Sequence, residues 1–170
     1  MCFENLQMPA KLADQINDSK KLSAARREKL FPEIIRHAIV GVGQASAAEI
    51  DALNILQATF LAMRRAMDDV RQQGYAPDFI LIDGNCVPKN WDIPCASLIG
   101  GDAKSLSVAA ASIIAKVSRD RLMAELAQAF PAYGWDKNAG YGTAEHAAAL
   151  QAYGVTPHHR KSYAPIKKLL

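Results

Sequence analysis

A run of four apolar residues, 79–82, is the feature that most constrains the fold of this chain. It follows Pro77 and precedes Asp83 and Gly84, so turn-forming residues bound it on both sides. Such a run predicts a strand buried on both faces, which is typical of parallel sheets covered by helices. Extended and helical segments alternate along the chain, and this pattern predicts an α/β fold in a single domain.

Helix-start and helix-end signals occur between the predicted strands. Ser23 is placed to cap the helix that follows it, and Ser46 forms a capping box with Glu49. The capping box opens a helical stretch that Asn54 can divide and that Gly74 ends. The other predicted elements are strands at 38–42 and 96–99, a long helix at 105–130, a loop at 133–142 and a helix at 143–153.

The composition excludes several classes of protein. Half of the 170 residues are hydrophobic and 22% are charged, as in ordinary globular domains. No apolar run approaches the roughly 18 residues of a membrane span, and the N-terminus lacks the pattern of a secretory signal. The three cysteines, Cys2, Cys86 and Cys95, suggest neither a disulfide framework nor a zinc cluster. We therefore expect a reducing compartment, the cytoplasm.

The distribution of charge is more informative than the formal net charge of +3. Basic residues cluster near Lys20 and Lys21, and again after Gly154, where the chain contains no acidic residue. Two basic clusters on a small domain fit a polyanionic partner. A solvated surface with a loose tail explains the same charges equally well.

Two aspartates are candidate site residues because of where they stand. Asp83 lies at the carboxyl end of a predicted strand, where α/β sheets place ligand and metal sites. Asp102 follows two glycines and a second predicted strand, so the two carboxylates could share a hard cation such as Mg²⁺. A turn aspartate at 83 and a helix-capping aspartate at 102 are the competing interpretations.

Tyr141 is a further candidate, because Gly140 and Gly142 leave its ring free to stack on a sugar or base. A core tyrosine is an equally good interpretation. His159 and Arg160 lie in a His-His-Arg-Lys segment that could contact phosphates. The two adjacent histidines of that segment point apart, which makes them a poor metal pair.

Seven stretches of the chain, in order, resemble the ribonuclease HII family, the type 2 ribonucleases H. The resemblance covers roughly residues 14–166. The matching stretches are Asn17-Asp-Ser-Lys-Lys-Leu22, Glu49-Ile-Asp-Ala-Leu-Asn-Ile55, Ile80-Leu-Ile-Asp-Gly84, Gly100-Gly-Asp102, Ala109-Ala-Ala-Ser-Ile-Ile-Ala-Lys-Val-Ser-Arg-Asp120, Gly140-Tyr-Gly-Thr143 and Pro157-His-His-Arg160.

The resemblance implies an RNase H-like mixed sheet flanked by helices. It also implies an endoribonuclease that hydrolyses the RNA strand of RNA/DNA hybrids and the phosphodiester 5′ to single ribonucleotides in duplex DNA. In that family two Mg²⁺ or Mn²⁺ ions, held by four carboxylates, carry out the hydrolysis. The resemblance also implies a monomeric enzyme that does not bind a membrane.

The resemblance implies a role for each residue that matches a functional position of the family. Asp83 and Asp102 match the third and fourth metal carboxylates of the family. Tyr141 matches the tyrosine that packs against the deoxyribose beside the ribonucleotide, where the 2′-hydroxyl distinguishes RNA from DNA. The resemblance further implies that Lys20, Lys21 and the region of His159 and Arg160 contact backbone phosphates.

One departure from the family pattern affects both fold and activity. The family begins with a strand carrying Asp-Glu-x-Gly-Arg-Gly, which supplies its first two metal carboxylates, and these 170 residues do not contain that motif. We therefore expect a chain that lacks the first strands. The expected organisation is a non-matching segment at 1–16, an incomplete catalytic domain at 17–153 and a basic segment at 154–170. The alternative is a catalytically inactive remnant that binds nucleic acid.

Overall fold

The computed structural model describes residues 8–170, which divide into two compact units. The first unit comprises residues 8–43 and 63–117. The second comprises residues 44–62 and 118–170. Of the segment predicted as 1–16, residues 1–7 lie outside the described part of the chain, and the domain bounds at 17, 153 and 154 stay predictions.

Eight α-helices, two short 3₁₀ turns and two strands occur within residues 8–170, in the α/β class that the sequence predicts. No helix in this described part is long and apolar enough to cross a membrane. The helices are α1 (Ala10–Ala13), α2 (Ala24–His37), α3 (Ala47–Leu53), α4 (Ile55–Gln72), α5 (Leu106–Ala129), α6 (Trp135–Asn138), α7 (Ala144–Tyr153) and α8 (Ala164–Lys167). The strands are β1 (Ile80–Asp83) and β2 (Cys95–Leu98).

The two strands pair in parallel in the first unit. Ile80 lies opposite Cys95, and Asp83 lies opposite Leu98. The prediction that residues 79–82 are buried on both faces is wrong: Ile82 is buried, whereas Leu81 and Phe79 are exposed. Successive side chains of a strand point to opposite faces, and only one face of β1 is covered in the described structure.

The prediction of a strand at 38–42 is also wrong, because this segment forms only an isolated bridge, at Ile39. Side chains of α4 and of the residue after it take backbone hydrogen bonds of this segment. The amide of Val42 donates to Asp69 Oδ2 at 3.0 Å, and Gln73 Nε2 donates to the carbonyl of Val40 at 3.0 Å. Gly41 permits this approach, because a Cβ there would lie 2.1 Å from the carbonyl oxygen of Ala66.

The core of the first unit is built from α1, α2 and the first half of α5. Ile34 and Ile113 are fully buried in it, and small side chains at Ala109 and Ala110 let neighbouring groups approach α5 closely. Ser23 caps α2, as predicted, by accepting a hydrogen bond from the amide of Arg26 at 3.2 Å.

The core of the second unit combines aromatic and aliphatic side chains and includes part of a segment predicted as a loop. Residues 133–142 contain α6, so that prediction is wrong for residues 135–138. Trp135 is 2% exposed and stacks on Tyr133 with ring centroids 5.1 Å apart. Asn138 Nδ2 donates to the carbonyl of Tyr133 at 2.7 Å. Burial of the ring and this bond stabilise a helical turn too short to form alone.

The predicted helix boundaries around this unit are confirmed. The capping box of Ser46 and Glu49 is present, and Asn54, at φ 72°, separates α3 from α4. Thr143 caps α7 by accepting from the amide of His146, and Gly154 follows the end of that helix.

Candidate functional sites

Asp83 and Asp102 come together at the carboxyl end of the parallel strand pair. Asp83 is the last residue of β1, and its Oδ1 accepts a hydrogen bond from the amide of Gly101 at 2.9 Å. Gly101 immediately precedes Asp102 and opens a short 3₁₀ turn, Gly101–Ala103, that follows β2. One backbone bond therefore ties the first aspartate to the residue next to the second.

The solvent exposure of these two aspartates differs. Asp83 is exposed, whereas the side chain of Asp102 retains 12% of its accessible surface. Lys20 Nζ lies 4.0 Å from Asp102 Oδ2, but the lysine side chain is 83% exposed. Because the lysine is so exposed and the two charged atoms lie as far as 4.0 Å apart, the pair contributes little to stability, and the lysine remains available to an anionic ligand.

The turn that carries Lys20 and Lys21 is fixed from within the first unit. Asp18 Oδ1 accepts a bond from the Lys20 amide at 2.9 Å, and the carbonyl of Asp18 accepts from the Lys21 amide at 2.9 Å. The Arg27 guanidinium donates to the carbonyls of the same turn at Ser19 and Leu22. Both lysine side chains are consequently presented to solvent from an ordered backbone.

Carboxylates are the ligands that hard divalent cations prefer. Within residues 8–170, however, no three histidine, cysteine, aspartate or glutamate side chains are grouped so that they could hold a metal ion. The described structure thus brings two acidic side chains to this end of the sheet rather than a complete set of protein ligands.

Tyr141 lies in the second unit and is 70% exposed, which contradicts the interpretation as a core tyrosine. Its backbone is nevertheless held: its amide donates to the carbonyl of Asn138 at 2.8 Å, and its carbonyl accepts from the amide of Thr143 at 2.9 Å. The ring is therefore offered to solvent from a fixed backbone, a geometry suited to stacking on a sugar or base.

His159 and Arg160, although adjacent, have different environments. His159 is 5% exposed, and both of its ring nitrogens lie within hydrogen-bond distance of protein atoms. Burial, reinforced by the neighbouring His146, lowers the pKa of His159. The guanidinium of Arg160 lies over the ring of Tyr163, 3.7 Å from its centroid, and is only partly buried. Of the two, Arg160 is the side chain that solvent can reach.

Asp51 anchors the segment that follows Arg160. Its Oδ2 accepts from the amide of Lys161 at 2.8 Å, and its Oδ1 accepts from the amide and hydroxyl of Ser162 at 2.9 and 2.6 Å. The Ser162 hydroxyl and amide, with the Lys161 amide, lower the pKa of the Asp51 carboxyl. A carboxylate on α3 thus fixes a basic loop more than 100 residues away in sequence.

A sequence model of the Ribonuclease HII family matches residues 8–166. This chain belongs to the ribonuclease HII family. A curated Ribonuclease HII from Jannaschia sp. (strain CCS1) is 56% identical over 162 residues, which are 95% of this chain and 80% of that relative. One from Magnetococcus marinus (strain ATCC BAA-1437 / JCM 17883 / MC-1) is 57% identical over 155 residues, covering 91% of this chain and 72% of the relative.

A solved structure supports the same assignment. The crystal structure of the ribonuclease H2 from Pyrococcus horikoshii OT3 matches with a TM-score of 0.70 and 27% sequence identity. The match covers 94% of this chain and 82% of that one. Ribonuclease HII enzymes are endoribonucleases that act on nucleic acid and depend on divalent metal ions, so the predicted family, fold class and enzyme class are confirmed.

Two residues that organise the second unit, Asp51 and His146, are not predicted from the sequence. Asp51 and His146 each have partners far along the chain, at 161–162 and at 159 respectively. Asp51 does lie within a stretch that matches the family, but nothing in its spacing indicates what it binds. His146 sits on α7 with no motif of its own.

Proposed function

We propose that this member of the ribonuclease HII family hydrolyses the RNA strand of RNA/DNA hybrids and cuts duplex DNA on the 5′ side of single ribonucleotides. The observation that carries the proposal is the bond from the Gly101 amide to Asp83 Oδ1, which brings Asp83 and Asp102 to the same end of the sheet. Such an end is where α/β sheets place their ligands.

Asp83 and Asp102 are the residues that would hold the divalent ions, Mg²⁺ or Mn²⁺. The donor set fits, because Mg²⁺ in enzymes of nucleic-acid phosphates is commonly held by one or two carboxylates, with water and substrate phosphates as its other ligands. When bound, such an ion activates water and stabilises the departing 3′ oxygen. The bond from the Gly101 amide restrains the Asp83 carboxylate, which supports this role.

Tyr141 would recognise the substrate by packing its exposed ring against the sugar beside the ribonucleotide. Its 70% exposure and its fixed backbone support this role. An aromatic ring held in this way loses little conformational freedom when a flat or sugar surface covers it.

Lys20, Lys21 and the region of His159 and Arg160 would bind backbone phosphates. The lysines are exposed on an ordered turn, and Arg160 is kept in place by its stacking on Tyr163. The burial of His159 favours a role in shaping this region, with Arg160 as the group that meets the phosphate. Such contacts position the substrate without reading its sequence.

We further propose residues 17–153 as the catalytic portion and 154–170 as a basic segment that adds to substrate binding. The enzyme would act as a monomer in the cytoplasm. The basic residues after Gly154, where the sequence has no acidic residue, support the assignment of the basic segment.

The experiment that tests the proposal is incision of a DNA duplex containing one ribonucleotide, with Mg²⁺ or Mn²⁺. We expect incision 5′ to the ribonucleotide that Asp83→Asn abolishes. Asp78→Asn is the matched control, because Asp78 is an exposed aspartate near the opposite, amino end of the same strand. Equal activity in the two variants would contradict the assignment of Asp83.

A second candidate function, binding of nucleic acid without cutting it, is favoured by the exposed Lys20 and Lys21 on their ordered turn, which could bind phosphates without a metal ion. It predicts duplex binding that weakens steeply with salt and needs no divalent ion. A folded chain that binds in this way and makes no incision would favour this reading over the first.

A further inference from the structure

Two histidines of the second unit form a buried pair that the proposed chemistry does not use. His146 on α7 is 6% exposed and His159 is 5% exposed. Their Nε2 atoms lie 3.0 Å apart. The rings of Tyr133 and Trp135 pack against both histidines, with ring centroids 5.0 to 6.3 Å apart. In these surroundings a pair of imidazoles is stable only if its protons are arranged so that every contact has one donor and one acceptor.

The neighbouring backbone groups allow one arrangement of those protons. The amide of Thr156 can only donate, and it lies 3.0 Å from His159 Nδ1, so Nδ1 accepts and the proton of His159 is on Nε2. His159 Nε2–H then donates to His146 Nε2, which must be unprotonated. The proton of His146 is therefore on Nδ1, where it donates to the carbonyl of Tyr141 at 3.2 Å.

The result is a directional chain of hydrogen bonds that ends on the backbone of Tyr141. It runs from the Thr156 amide through His159 and His146 to the Tyr141 carbonyl, and each ring carries one proton. The Thr156 hydroxyl lies 2.8 Å from His159 Nδ1 and accepts a bond from the His158 amide, so it holds the start of the chain in place.

We propose that His146 and His159 are positioning residues that hold Tyr141 in the orientation in which its ring meets the substrate. They link it to the loop that carries Arg160. The inference rests on the proposed role of Tyr141 in substrate recognition. Neither histidine needs to touch the substrate, because both act through the Tyr141 carbonyl.

The proton arrangement itself can be tested without substrate. Long-range ¹H–¹⁵N spectra of the ¹⁵N-labelled full chain distinguish the two neutral tautomers of each histidine. We expect the Nδ1–H form for His146 and the Nε2–H form for His159 at pH 8. The opposite tautomer at either ring, or a charged ring, would overturn the inference.

The effect on recognition is tested by binding, so that hydrolysis is not required. The affinity of the full chain is measured for a duplex with one ribonucleotide and for the same duplex made of DNA alone, with no divalent ion present. Tyr141→Ala should reduce the preference for the ribonucleotide by about fivefold or more, since one stacking contact contributes about 1 kcal/mol or more. His146→Phe keeps a ring but loses both hydrogen bonds, and it should reduce the preference about two- to tenfold.

Two comparisons separate positioning from general damage to the fold. In a Tyr141→Ala background, His146→Phe should have no further effect on the preference, because the group it positions is gone. His146→Asn, which can still donate to the Tyr141 carbonyl, should restore part of the preference, and it serves as the informative variant if His146→Phe does not fold.

The outcomes also separate this inference from the proposed function. A wild-type chain without a preference, or an unchanged preference in Tyr141→Ala, would contradict the proposed role of Tyr141, while the tautomers are read independently. A preference that falls in Tyr141→Ala but is unchanged in folded His146→Phe or His146→Asn would overturn the positioning role alone.

Discussion

Replacing Gly101 with alanine would place a methyl group against the candidate metal-binding carboxylate. A Cβ at this position would lie 3.3 Å from Asp83 Oδ1 and 3.1 Å from Val108 Cγ1. Carbon atoms pack best at about 3.5–4.0 Å, so the contact with Val108 is too close by about 0.4 Å and the contact with Asp83 by about 0.2 Å. Val108 belongs to the packed α5 helix and is buried, whereas Asp83 is exposed, so Asp83 is the side chain expected to yield.

The magnitude of the effect follows from this displacement. If misplacing a reacting group by about 1 Å costs roughly 100-fold in rate, a shift of about 0.2 Å costs roughly two- to threefold. Overpacking of this size also lowers the free energy of unfolding by about 1–3 kcal/mol. The Gly101 amide is retained in the alanine variant, so the hydrogen bond to Asp83 can re-form in the shifted geometry.

Gly100→Ala is the matched control for this substitution. Gly100 has φ +65°, and a Cβ there would meet nothing within 4 Å. Alanine in this left-handed conformation should lower the free energy of unfolding by about 1–2 kcal/mol without touching Asp83. The two variants therefore have similar stability but differ at the carboxylate.

The assay combines urea denaturation, Mn²⁺ affinity and the rate of incision at a single ribonucleotide. We expect Gly101→Ala to weaken Mn²⁺ binding and slow incision, whereas Gly100→Ala changes stability alone. Equal effects of the two variants on Mn²⁺ affinity would refute the argument, because the contact with Asp83 would then have no consequence.

Three further predictions concern the core, the basic loop and pH. Ile34→Ala, at a fully buried position, should lower the free energy of unfolding by about 2–5 kcal/mol in urea denaturation, whereas Ile35→Ala, at a half-exposed position of the same helix, should cost much less. Asp51→Ala should remove the hydrogen-exchange protection of the Lys161 and Ser162 amides and weaken duplex binding, and unchanged protection would contradict the anchoring role. Because the pKa of His159 is lowered in the folded state, its contribution to stability should be present above about pH 6.5 and be lost as the pH falls. Thermal unfolding across pH 5–8 measures this loss, and an equal slope in His159→Gln would assign it to other groups.

The elements that the sequence predicts correctly are those specified by local chemistry. The boundary residues at Ser23, Ser46, Asn54 and Gly154 act through neighbours within a few positions. Each one satisfies or terminates the hydrogen bonds of its own helix, so the signal is complete within a short window. Asn54 illustrates this: besides dividing two helices, its side chain accepts from the Gln57 amide at the start of α4.

The segments predicted wrongly depend on contacts from elsewhere in the chain. Residues 38–42 have the composition of a strand, but a strand needs a partner, and Asp69 and Gln73 supply hydrogen bonds to this segment instead. Trp135 begins a helical turn because its ring is buried against Tyr133, which a pattern of glycine and asparagine does not reveal. In both cases the deciding interaction is tertiary.

The residues of the candidate sites also fall into two groups, those that the sequence indicates and those that only tertiary contacts reveal. Asp83 and Asp102 can be proposed from sequence because each closely follows a predicted strand, and parallel strands end at one edge of a sheet. The partners that orient Tyr141 and the basic loop cannot, since nothing in the spacing of His146 and Asp51 indicates that they bind groups between 5 and 111 positions away. A family motif therefore identifies the groups that would meet the substrate. The groups that hold them in place become visible only when the fold shows where each hydrogen bond ends.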